Sequence, residues 1–429
     1  MREMKDSGVE WIGEIPADWT YGRIKYNYYL KGRIGWQGLK AEEFVDSGPF
    51  LVTGTDLRDG RVDWDTCYHI SEERYNEAPD IHVMVGDLLI TKDGTVGKVA
   101  YIDSKPKEVS LNSHLLLMRP QNTQYTNRYL FWVIQSSVFE KYVLLSQNGT
   151  IMASLSQEKI DNFSFSLPKE NEQMRIADYL DRKCAQIDAI IDHQQQIIEK
   201  LKEYKLSVIT EAVTKGLSPD VPMKDRGIEL GKVIPAHWRV SKIKYLFQLR
   251  DERNFLPLDE VQLLSLYTDL GVFPHGEQEE RGNKAVTADG YKIVHKNDVV
   301  VNIILAWMGA IGMSNYDGVT SPAYDIYLPL KGINPRFYHY LFRTKAFSAE
   351  CYKSGRGIMA MRWRTYSNEF KSIYVPVPPE EEQTAIVRYL DNKCKKIDEI
   401  IARKQEIIDR LVSYRQAVIY EAVTGKREV

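Results

Sequence analysis

The feature of this 429-residue sequence that most constrains its fold is an internal repeat. Residues 176–214 and 386–424 align without a gap at an offset of 210, and roughly half of the aligned positions are identical. A shorter pair, residues 15–26 and 234–245, aligns at an offset of 219. Between the matched blocks the two halves differ almost completely. Because self-similarity of this kind reflects repeated structural units, the sequence predicts two similar frames that hold two dissimilar inserts.

The long matched blocks have the spacing of helices that pack along a coiled-coil seam. Mostly apolar residues recur at alternating steps of three and four in both blocks, which is the a/d pattern of a coiled coil. Neighbouring isoleucines widen this stripe, so more than one surface of each helix is expected to be buried. The predicted seam residues are Ile187, Ile190, Gln194, Ile197, Leu201, Tyr204 and Val208 in the first block, and Ile397, Ile400, Lys404, Ile407, Leu411, Tyr414 and Val418 in the second.

The order of the segments predicts an α+β protein with two variable domains. Both inserts contain short β-like runs followed by helical patterns, which is typical of α+β domains. Since the first long helix leads from one insert to the other, the second must run antiparallel to it for the two seams to meet. We therefore predict two domains separated by two long antiparallel coiled-coil helices, with an internal pseudo-two-fold repeat. The predicted segments are an N-terminal segment 1–19 packing near the C-terminal helix, a first domain 20–165, a central helix 166–217, a linker 218–238 that repeats the N-terminal segment, a second domain 239–375 and a C-terminal helix 376–429.

The charge balance excludes a uniformly basic nucleic-acid wrapper. With 57 Lys and Arg against 59 Asp and Glu, the net charge is −2, so any nucleic-acid contact has to use local basic patches. The uncharged stretch 299–316 contains glycine and asparagine, and we interpret it as a buried strand and turn rather than a membrane span. The four cysteines form no C-x-x-C pair, and the N-terminus lacks the apolar core of a signal peptide. We therefore expect a reduced, cytoplasmic protein.

The sequence contains no set of residues arranged for catalysis or for metal binding. GTVGK at 94–98 resembles part of a phosphate-binding loop, but the GxxxxGK[ST] spacing is missing. No [DN]PP[YF] motif of an amino-methyltransferase occurs, and no histidine pairs with cysteines or carboxylates at metal-ligand spacing. We therefore predict no catalytic residue and no metal ligand in this chain.

The matched blocks resemble the specificity subunit of type I restriction-modification systems over the full length of the chain. A single fragment would be only moderately specific, whereas the duplicated order with dissimilar inserts is highly specific. The resemblance rests on IPADW and RIKY (15–26), PKENEQMRIADYLDRKCAQIDAII (168–191) and EAVTKGL (211–217), and on their second copies IPAHW and KIKY (234–245), PPEEEQTAIVRYLDNKCKKIDEII (378–401) and EAVTGK (421–426).

The resemblance implies a non-catalytic DNA sequence-specificity subunit that serves phage defence. In that family each insert is a target-recognition domain that reads one half of a bipartite, asymmetric site in double-stranded DNA. The long helices are a spacer and a docking surface for methyltransferase subunits. Two methyltransferase subunits carry S-adenosylmethionine for DNA adenine methylation, and restriction subunits that use ATP and Mg²⁺ join the full complex. The resemblance implies no cofactor and no membrane contact for this chain itself.

The candidate DNA contacts are chosen by residue chemistry, because inserts of different specificity do not share a motif. Basic, amide and hydroxyl side chains in polar, glycine-containing loops are the groups that bind base edges and phosphates. The candidates are Lys31, Arg33, Gln37, Lys92, Thr95, Lys98, Asn112, Ser113 and His114 in the first domain, and Arg250, Arg253, Asn254, Arg281, Lys284, Arg356, Arg362 and Arg364 in the second.

Two other functions stay open from the sequence. One is a freestanding two-headed DNA-binding protein, such as a repressor, with the same architecture; neighbouring methyltransferase and helicase-nuclease genes would favour the restriction-modification function over it. The other is an enzyme with an unrecognised site, which S-adenosylmethionine binding by the isolated chain would favour.

Overall fold

The chain forms two compact units. The computed structural model describes residues 2–34, 38–122, 124–146, 155–227, 230–268, 270–276, 287–357 and 363–429. Unit 1 contains Met1–Gln195 and Glu406–Val429, and unit 2 contains Gln196–Gln405. Each long helix therefore contributes one half to each unit.

Short strands and helices lead up to the first long helix. The strands are β1 (Met4–Asp6), β2 (Glu14–Pro16), β3 (Thr20–Arg23), β4 (Tyr28–Gly32), β5 (Val45–Val52), β6 (Leu57–Arg58), β7 (Arg61–Val62), β8 (Tyr68–His69), β9 (Leu88–Thr91), β10 (Val99–Tyr101), β11 (Val109–Leu111), β12 (Leu115–Pro120) and β13 (Ser164–Leu167). The helices are α1 (Ile24–Asn27), α2 (Glu72–Asn76), α3 (Asn127–Ile134), α4 (Ser137–Ser146), α5 (Gln157–Asn162) and the 46-residue α6 (Glu170–Lys215).

The second half of the chain has a similar but not identical order of elements. Its strands are β14 (Met223–Asp225), β15 (Val233–Pro235), β16 (Arg239–Lys242), β17 (Phe247–Arg250), β18 (Leu264–Tyr267), β19 (Gly271–Pro274), β20 (Lys292–Val294), β21 (Val299–Asn302), β22 (Ile311–Met313), β23 (Gly318–Thr320), β24 (Tyr324–Pro329) and β25 (Tyr374–Val377). Its helices are α7 (Pro335–Phe342), α8 (Lys345–Ser354), α9 (Ser367–Ser372) and the 44-residue α10 (Glu380–Val423).

Each insert is built on a four-stranded antiparallel sheet with the same strand order. The order is β10-β9-β12-β4 in unit 1 and β22-β21-β24-β17 in unit 2. The second strand of each sheet is buried on both faces, because Leu88 and Ile90 belong to one core and Leu89 to another. In unit 2, Val299 and Val301 belong to one core and Val300 to another, so the uncharged stretch 299–316 contains a buried strand followed by a turn, as predicted. Among the helices in the described ranges, none is long and apolar enough to cross a membrane.

Strands from the matched blocks join each insert to its frame. In unit 1 β3 pairs with β13, and in unit 2 β16 pairs with β25, both antiparallel. Hairpin β1–β2 has its counterpart in β14–β15. The matched tryptophans Trp19 and Trp238 are at most 1% exposed. In unit 1, Ile15 and Trp19 share a core with Ile419 and Val423 from the last turns of α10.

The two long helices pack antiparallel within each unit. In unit 1 the guanidinium of Arg415 lies 2.9 Å from the Asp188 carboxylate, and in unit 2 the ammonium of Lys205 lies 2.7 Å from Asp398. Both members of the second pair correspond to the first at the repeat offset of 210. Lys205 and Arg415 sit where a strict seam would have apolar side chains, and their aliphatic stems fill it while their charges stay paired.

The buried stripe on each helix follows one phase of the predicted seam. Buried or half-buried side chains lie at 187, 191, 194, 198, 201, 205 and 208 on α6 and at the positions 210 residues later on α10. Ile187, Gln194, Leu201 and Val208, with Ile397, Lys404, Leu411 and Val418, lie on this stripe.

The remaining predicted seam residues lie beside the seam rather than in it, so this part of the prediction is corrected. Ile190, Tyr204, Ile400, Ile407 and Tyr414 are 40–48% exposed, and Ile197 is only half-buried next to Ile198, which is 2% exposed. The error has a physical cause. The pairs Ile190–Ile191 and Ile197–Ile198, like their copies, offer two adjacent apolar positions, and only tertiary packing selects one of them.

A buried glutamine at the start of each long helix fastens the insert to its frame. Gln173 accepts a hydrogen bond from the Thr126 backbone N–H at 3.1 Å and donates to the Gln124 and Pro168 carbonyls at 2.9 Å. Gln383 makes the same set of contacts in unit 2, with the Asn334 N–H at 2.8 Å as its donor. Both glutamines are 1% exposed, so these contacts are shielded from water.

A carboxylate about two turns further along α6 holds the first helix after the sheet of unit 1. Asp181 accepts a hydrogen bond from Trp132 Nε1 at 2.7 Å and is ion-paired with Arg128. Because Arg128 and Trp132 lie one turn apart on α3, both reach the same carboxylate.

Unit 2 repeats this arrangement with a different aromatic donor. Asp391 accepts from Arg336 Nε at 2.9 Å and from the Tyr340 hydroxyl at 2.6 Å. The contact, rather than the residue type, is therefore what the two inserts share.

We predict that Gln383→Leu destabilises unit 2 by about 2–3 kcal/mol, because it leaves buried backbone groups without partners. Gln173→Leu should have a similar effect on unit 1. Urea unfolding followed by circular dichroism measures both. Gln186→Leu, at an exposed position of α6, is the matched control and should change stability by less than about 0.5 kcal/mol. Equal midpoints for all three variants would show that the glutamines do not fasten the inserts.

Candidate nucleic-acid interface

Three loops of unit 1 meet at one edge of its four-stranded sheet, which we call the loop edge (residues 31–34, 92–98 and 112–114). The end of β4 lies beside β12, since Gly32 pairs with Leu116. The end of β9 lies beside the start of β12, since Thr91 pairs with Leu115. The Lys92 N–H donates to the His114 carbonyl at 2.9 Å, which joins the second and third loops.

The loop edge collects most of the candidate contacts of the first domain. Lys31, Lys92, Thr95, Lys98, Asn112, Ser113 and His114 all lie on it and are half-buried or exposed. The His114 ring lies 3.5 Å from the Asp93 carboxylate, and its side chain is 61% exposed. Residues that are separated by up to 83 positions in sequence (31 to 114) therefore share one surface.

A buried threonine shapes the loop that carries Lys98. The Thr91 hydroxyl donates to the Thr95 carbonyl and accepts from the Lys98 N–H at 3.0 Å. Gly94 and Gly97 have φ of 75° and 84°, a left-handed conformation that suits glycine. Gly97 matches Gly309 (φ 87°) in unit 2, since each lies two residues before the next strand. The Thr91 hydroxyl and the two glycines therefore hold the loop in shape, and the Thr95 and Lys98 side chains are exposed to solvent.

Arg33, a predicted DNA contact, is buried in the structure, which corrects the set of candidates. Its guanidinium donates to the Leu111 carbonyl at 2.8 Å and to Ser110 Oγ at 2.9 Å, and the residue is 3% exposed. Burial lowers the pKa of this guanidinium. Arg33 therefore ties the end of β4 to β11 from the interior and does not face a ligand.

Asn254 is the second correction. It is 3% exposed, and its amide donates to the Leu256 and Ala288 carbonyls at 2.9 Å. Its neighbour Arg253 makes contacts within the chain. The Arg253 guanidinium donates a hydrogen bond to the Gly290 carbonyl at 3.1 Å and forms an ion pair with Asp251 at 2.7 Å. Asn254 therefore shapes a loop that follows β17.

Arg250 is held in an ion-pair network rather than presented to solvent. Its guanidinium lies 2.5 Å from Glu252 and 3.1 Å from Asp298, and its side chain is 18% exposed. Burial raises the pKa of the Asp298 carboxyl, and Arg250 opposes that shift. Arg250 thus neutralises a buried carboxylate. Arg119 neutralises Asp87 in the same way in unit 1.

Arg356 and Arg364 pair with each other through their backbones, each N–H donating to the other's carbonyl at 2.9 Å. The Arg356 guanidinium is 77% exposed and contacts Glu369 at 2.8 Å. This bridge lies beside the loop after β21, because the Thr365 N–H donates to the Ile303 carbonyl. Unlike the first set, the candidates of the second domain are not gathered on one surface by the described contacts. Gln37, Arg281, Lys284 and Arg362 lie outside the described residues.

An exposed phenylalanine on unit 2 was missed by the sequence reasoning. Phe255 is 81% exposed, directly after the buried Asn254 that fixes its loop. Phe255 and its neighbour Leu256, which is 53% exposed, form a solvent-facing apolar pair, and phenylalanine is one of the side chains that wedge between base steps of DNA. The available signal was an aromatic residue inside the polar segment RDERNF (250–255).

Over the described ranges, no group of three or more His, Cys, Asp and Glu residues has the geometry of a metal site. The thiols of Cys184, Cys351 and Cys394 are buried, and burial raises their pKa values, which disfavours the reactive thiolate.

The amino-acid sequence is similar to a known protein family and to named relatives. The family described as type I restriction modification DNA specificity domain matches residues 38–203 and again residues 235–410. A Methanocaldococcus jannaschii chain named as a type I restriction enzyme MjaX specificity subunit is 24% identical and covers 97% of this chain and 96% of its own length. The EcoBI specificity subunit of Escherichia coli is 22% identical over 79% of this chain and 73% of its own.

A solved structure has the same fold. It comes from a study of complex assembly and conformational transition of the type I R-M system, with a TM-score of 0.70, 15% identity, and coverage of 96% of this chain and 99% of that one. Both copies of the family domain lie on the two matched frames with their inserts. The chain therefore belongs to the family of type I restriction-modification specificity subunits, with two copies of the DNA specificity domain.

Proposed function

We propose that this chain is the non-catalytic subunit that gives a type I restriction-modification complex its DNA sequence specificity. Each insert reads one half of a bipartite, asymmetric site in double-stranded DNA. The observation that carries this proposal is the duplicated frame, which holds two sheets of the same order whose edge loops carry different side chains.

The two edges differ in chemistry as readers of different sequences would. In unit 1 the loop after β9 exposes Thr95 and Lys98. In unit 2 the corresponding loop exposes Leu305 (36%) and Met308 (53%). Lysine binds the acceptors of guanine, whereas apolar side chains contact the thymine methyl group. The same scaffold position therefore offers a different contact in each half.

The reaction itself belongs to partner subunits in this proposal. Two methyltransferase subunits supply S-adenosylmethionine, and restriction subunits supply ATP and Mg²⁺ chemistry. The segment boundaries expected from the sequence, with recognition domains at 20–165 and 239–375, are part of the same proposal.

The outward heptad stripe of the long helices supports the docking of methyltransferase subunits. The residues that lie beside the seam repeat every seven positions and match between the helices; they are Ile190, Ile197 and Tyr204 on α6 and Ile400, Ile407 and Tyr414 on α10. An exposed apolar stripe on a long helix is typical of a surface covered by a partner. Because the stripe occurs once per repeat, two copies of one partner fit the chain.

We predict that exchanging residues 20–165 for the first insert of another specificity subunit changes only one half of the methylated motif. The inserts are fastened by shared frame contacts, so each should act as an independent reader. Methylome sequencing of cells that express the hybrid with the methyltransferase gives the motif. An exchange of residues 239–375 is the matched control and should change the other half. A simultaneous change of both halves would contradict independent reading.

Lys98→Ala and His114→Ala should weaken recognition of one half-site only. Loss of a base contact is expected to reduce the affinity of the assembled complex for its motif by about 1–3 kcal/mol, or roughly 5- to 160-fold. Fluorescence anisotropy with duplexes altered in one half-site or the other measures this. Lys107→Ala, exposed just before the other end of β11, is the control. An unchanged affinity for both variants would remove the loop edge from the recognition surface.

We predict one chain per two methyltransferase subunits in the co-expressed complex, measured by native mass spectrometry. Tyr204→Ser with Ile400→Ser should reduce binding to one methyltransferase subunit, because both residues belong to the stripe in unit 2. Val412→Ala, at an apolar position 47% exposed beside the stripe, is the control. A 1:1 limit for the parental chain at excess methyltransferase would contradict the stoichiometry. Sequence-specific DNA binding without any methyltransferase binding would instead favour a freestanding two-headed protein.

A further inference from the structure

A pair of exposed residues, which we call the Lys-Tyr pair, occurs at the same place in both units. It consists of Lys25 and Tyr26 in unit 1 and of Lys244 and Tyr245 in unit 2, at the offset of 219. The tyrosines are 67% and 64% exposed. The pair lies between positions that are buried in both copies, so its exposure is built into the frame.

The backbone presents the Lys-Tyr pair in the same way twice. Ile24 and Ile243, which precede the pairs, are both 0% exposed. The Ile24 N–H donates to the Phe163 carbonyl and the Ile243 N–H to the Ile373 carbonyl, each at 3.1 Å. These anchors follow the strand pairs β3–β13 and β16–β25 directly. The Lys-Tyr pair is thus positioned by the same strand pair and the same backbone hydrogen bond in both units, although the loops that follow differ.

Packing explains most matches between the repeats, but it does not explain this one. Matched residues such as Trp19 and Trp238 or Gln173 and Gln383 are buried, so the fold requires them. An exposed lysine and tyrosine contribute little to folding. A surface match that makes no structural contact is what a ligand bound by both halves would require.

The chemistry of the pair selects an anion. In the described structure, Lys25, Lys242 and Lys244 form no ion pair and no side-chain hydrogen bond. The Lys244 ammonium lies 4.7 Å from the Tyr245 ring centre, and the Lys242 ammonium 5.0 Å from that of Tyr374, as in cation–π contacts. Arg23 is the basic counterpart of Lys242 in unit 1. The outward stripe of the long helices is apolar by contrast, so the two matched surfaces fit different ligands.

The two Lys-Tyr pairs differ in the charge of their surroundings. Helix α9 packs on the turn that carries Lys244 and adds Lys371. At the matched place in unit 1 lies Asp161, whose carboxyl interacts with Lys25 while burial raises its pKa. The copy in unit 2 is therefore the more basic one.

We propose that the Lys-Tyr pairs bind backbone phosphates of the DNA in both half-sites, outside the base-reading loops. This rests on the proposed function, since it takes the two inserts to read different bases. A contact that is the same in two readers of different sequence does not read sequence, whereas the phosphate backbone is common to both half-sites. Lysine ammonium and tyrosine hydroxyl groups are both donors to phosphate oxygens.

The test uses the complex assembled with methyltransferase subunits and the double variant Lys25→Gln/Lys244→Gln. Affinity is measured by fluorescence anisotropy on a duplex with the methylated motif and on a scrambled duplex, over a range of salt concentrations. Each lost phosphate contact lowers the salt slope by about 0.9, so a decrease of about 1.8 is expected. Affinity should fall by roughly tenfold at low salt on both duplexes alike. Lys244→Gln alone should have a larger effect than Lys25→Gln alone.

Two variants make the test specific. Lys200→Gln/Lys396→Gln removes the same charge from exposed positions of α6 and α10 and should leave the slope within about 0.5 of the parental value. Lys25→Arg/Lys244→Arg keeps the charge and should restore the slope.

Three results would overturn the proposal. An unchanged salt slope would exclude a phosphate contact. A loss of affinity confined to the motif duplex would show that the pair reads bases. Loss of methyltransferase subunits from the double variant, measured by native mass spectrometry, would show that the pair is a protein interface. A parental complex that prefers no sequence would refute the proposed function instead, while the salt slope would still report on the Lys-Tyr pair.

Discussion

The packing of α6 against α10 is the interaction on which the other parts of each unit depend. The main core of unit 1 combines Ile176 and Leu180 of α6 with Ile419 and Val423 of α10. It also contains the first insert's Tyr129, whose hydroxyl donates to the Val423 carbonyl at 3.0 Å. Unit 1 therefore buries its apolar surface only when residues from both ends of the sequence have come together. The first insert cannot complete its core during synthesis until the last helix has been made.

This dependence also explains how one frame holds two unrelated inserts. The frame offers the same acceptors twice, an aspartate and a glutamine on each long helix. Each insert donates a hydrogen bond to the aspartate from a different side chain, which is the Trp132 indole N–H in one unit and the Tyr340 hydroxyl in the other. Because the contacts are made by the first helix after the sheet, the loops at the sheet edge are left out of the fastening. The loops are thus free to differ in length and chemistry without loss of the fold.

The repeat, the α+β inserts and the antiparallel helices could be predicted because each follows from a periodicity or from chain order. The phase of the seam could not. Ile190 and Ile191 are equally apolar, and the choice between them is made by contacts with a helix about 200 residues away. The wrong residues still carried information, since Ile190, Tyr204 and their copies form the outward stripe.

Individual polar contacts were the hardest to predict. Arg33 and Asn254 stand in loops of suitable composition, yet both are buried and hold those loops in shape. Sequence composition does not show whether a guanidinium or an amide turns inward to a carbonyl. The converse case is Phe255, which hydrophobicity places inside a protein and which the structure leaves 81% exposed. The burial of Asn254 and the exposure of Phe255 are linked, because the amide of Asn254 fixes the backbone that carries the Phe255 ring outward.

The near-neutral charge of the chain then has a structural basis. Several of its basic side chains are used internally, as Arg250 is against Asp298 and Arg119 is against Asp87. These arginines neutralise carboxylates that the turns before β9 and β21 require, so they are not available to DNA. Lys25 and Lys244 are among the basic groups that form no ion pair in the described part of the chain, and they occupy matched positions in the two repeats. A subunit built in this way obtains little non-specific affinity from its net charge. In the proposed function, discrimination between sequences depends on the loops in which the two inserts differ, while attachment to DNA depends on the proposed phosphate contacts and on partner subunits.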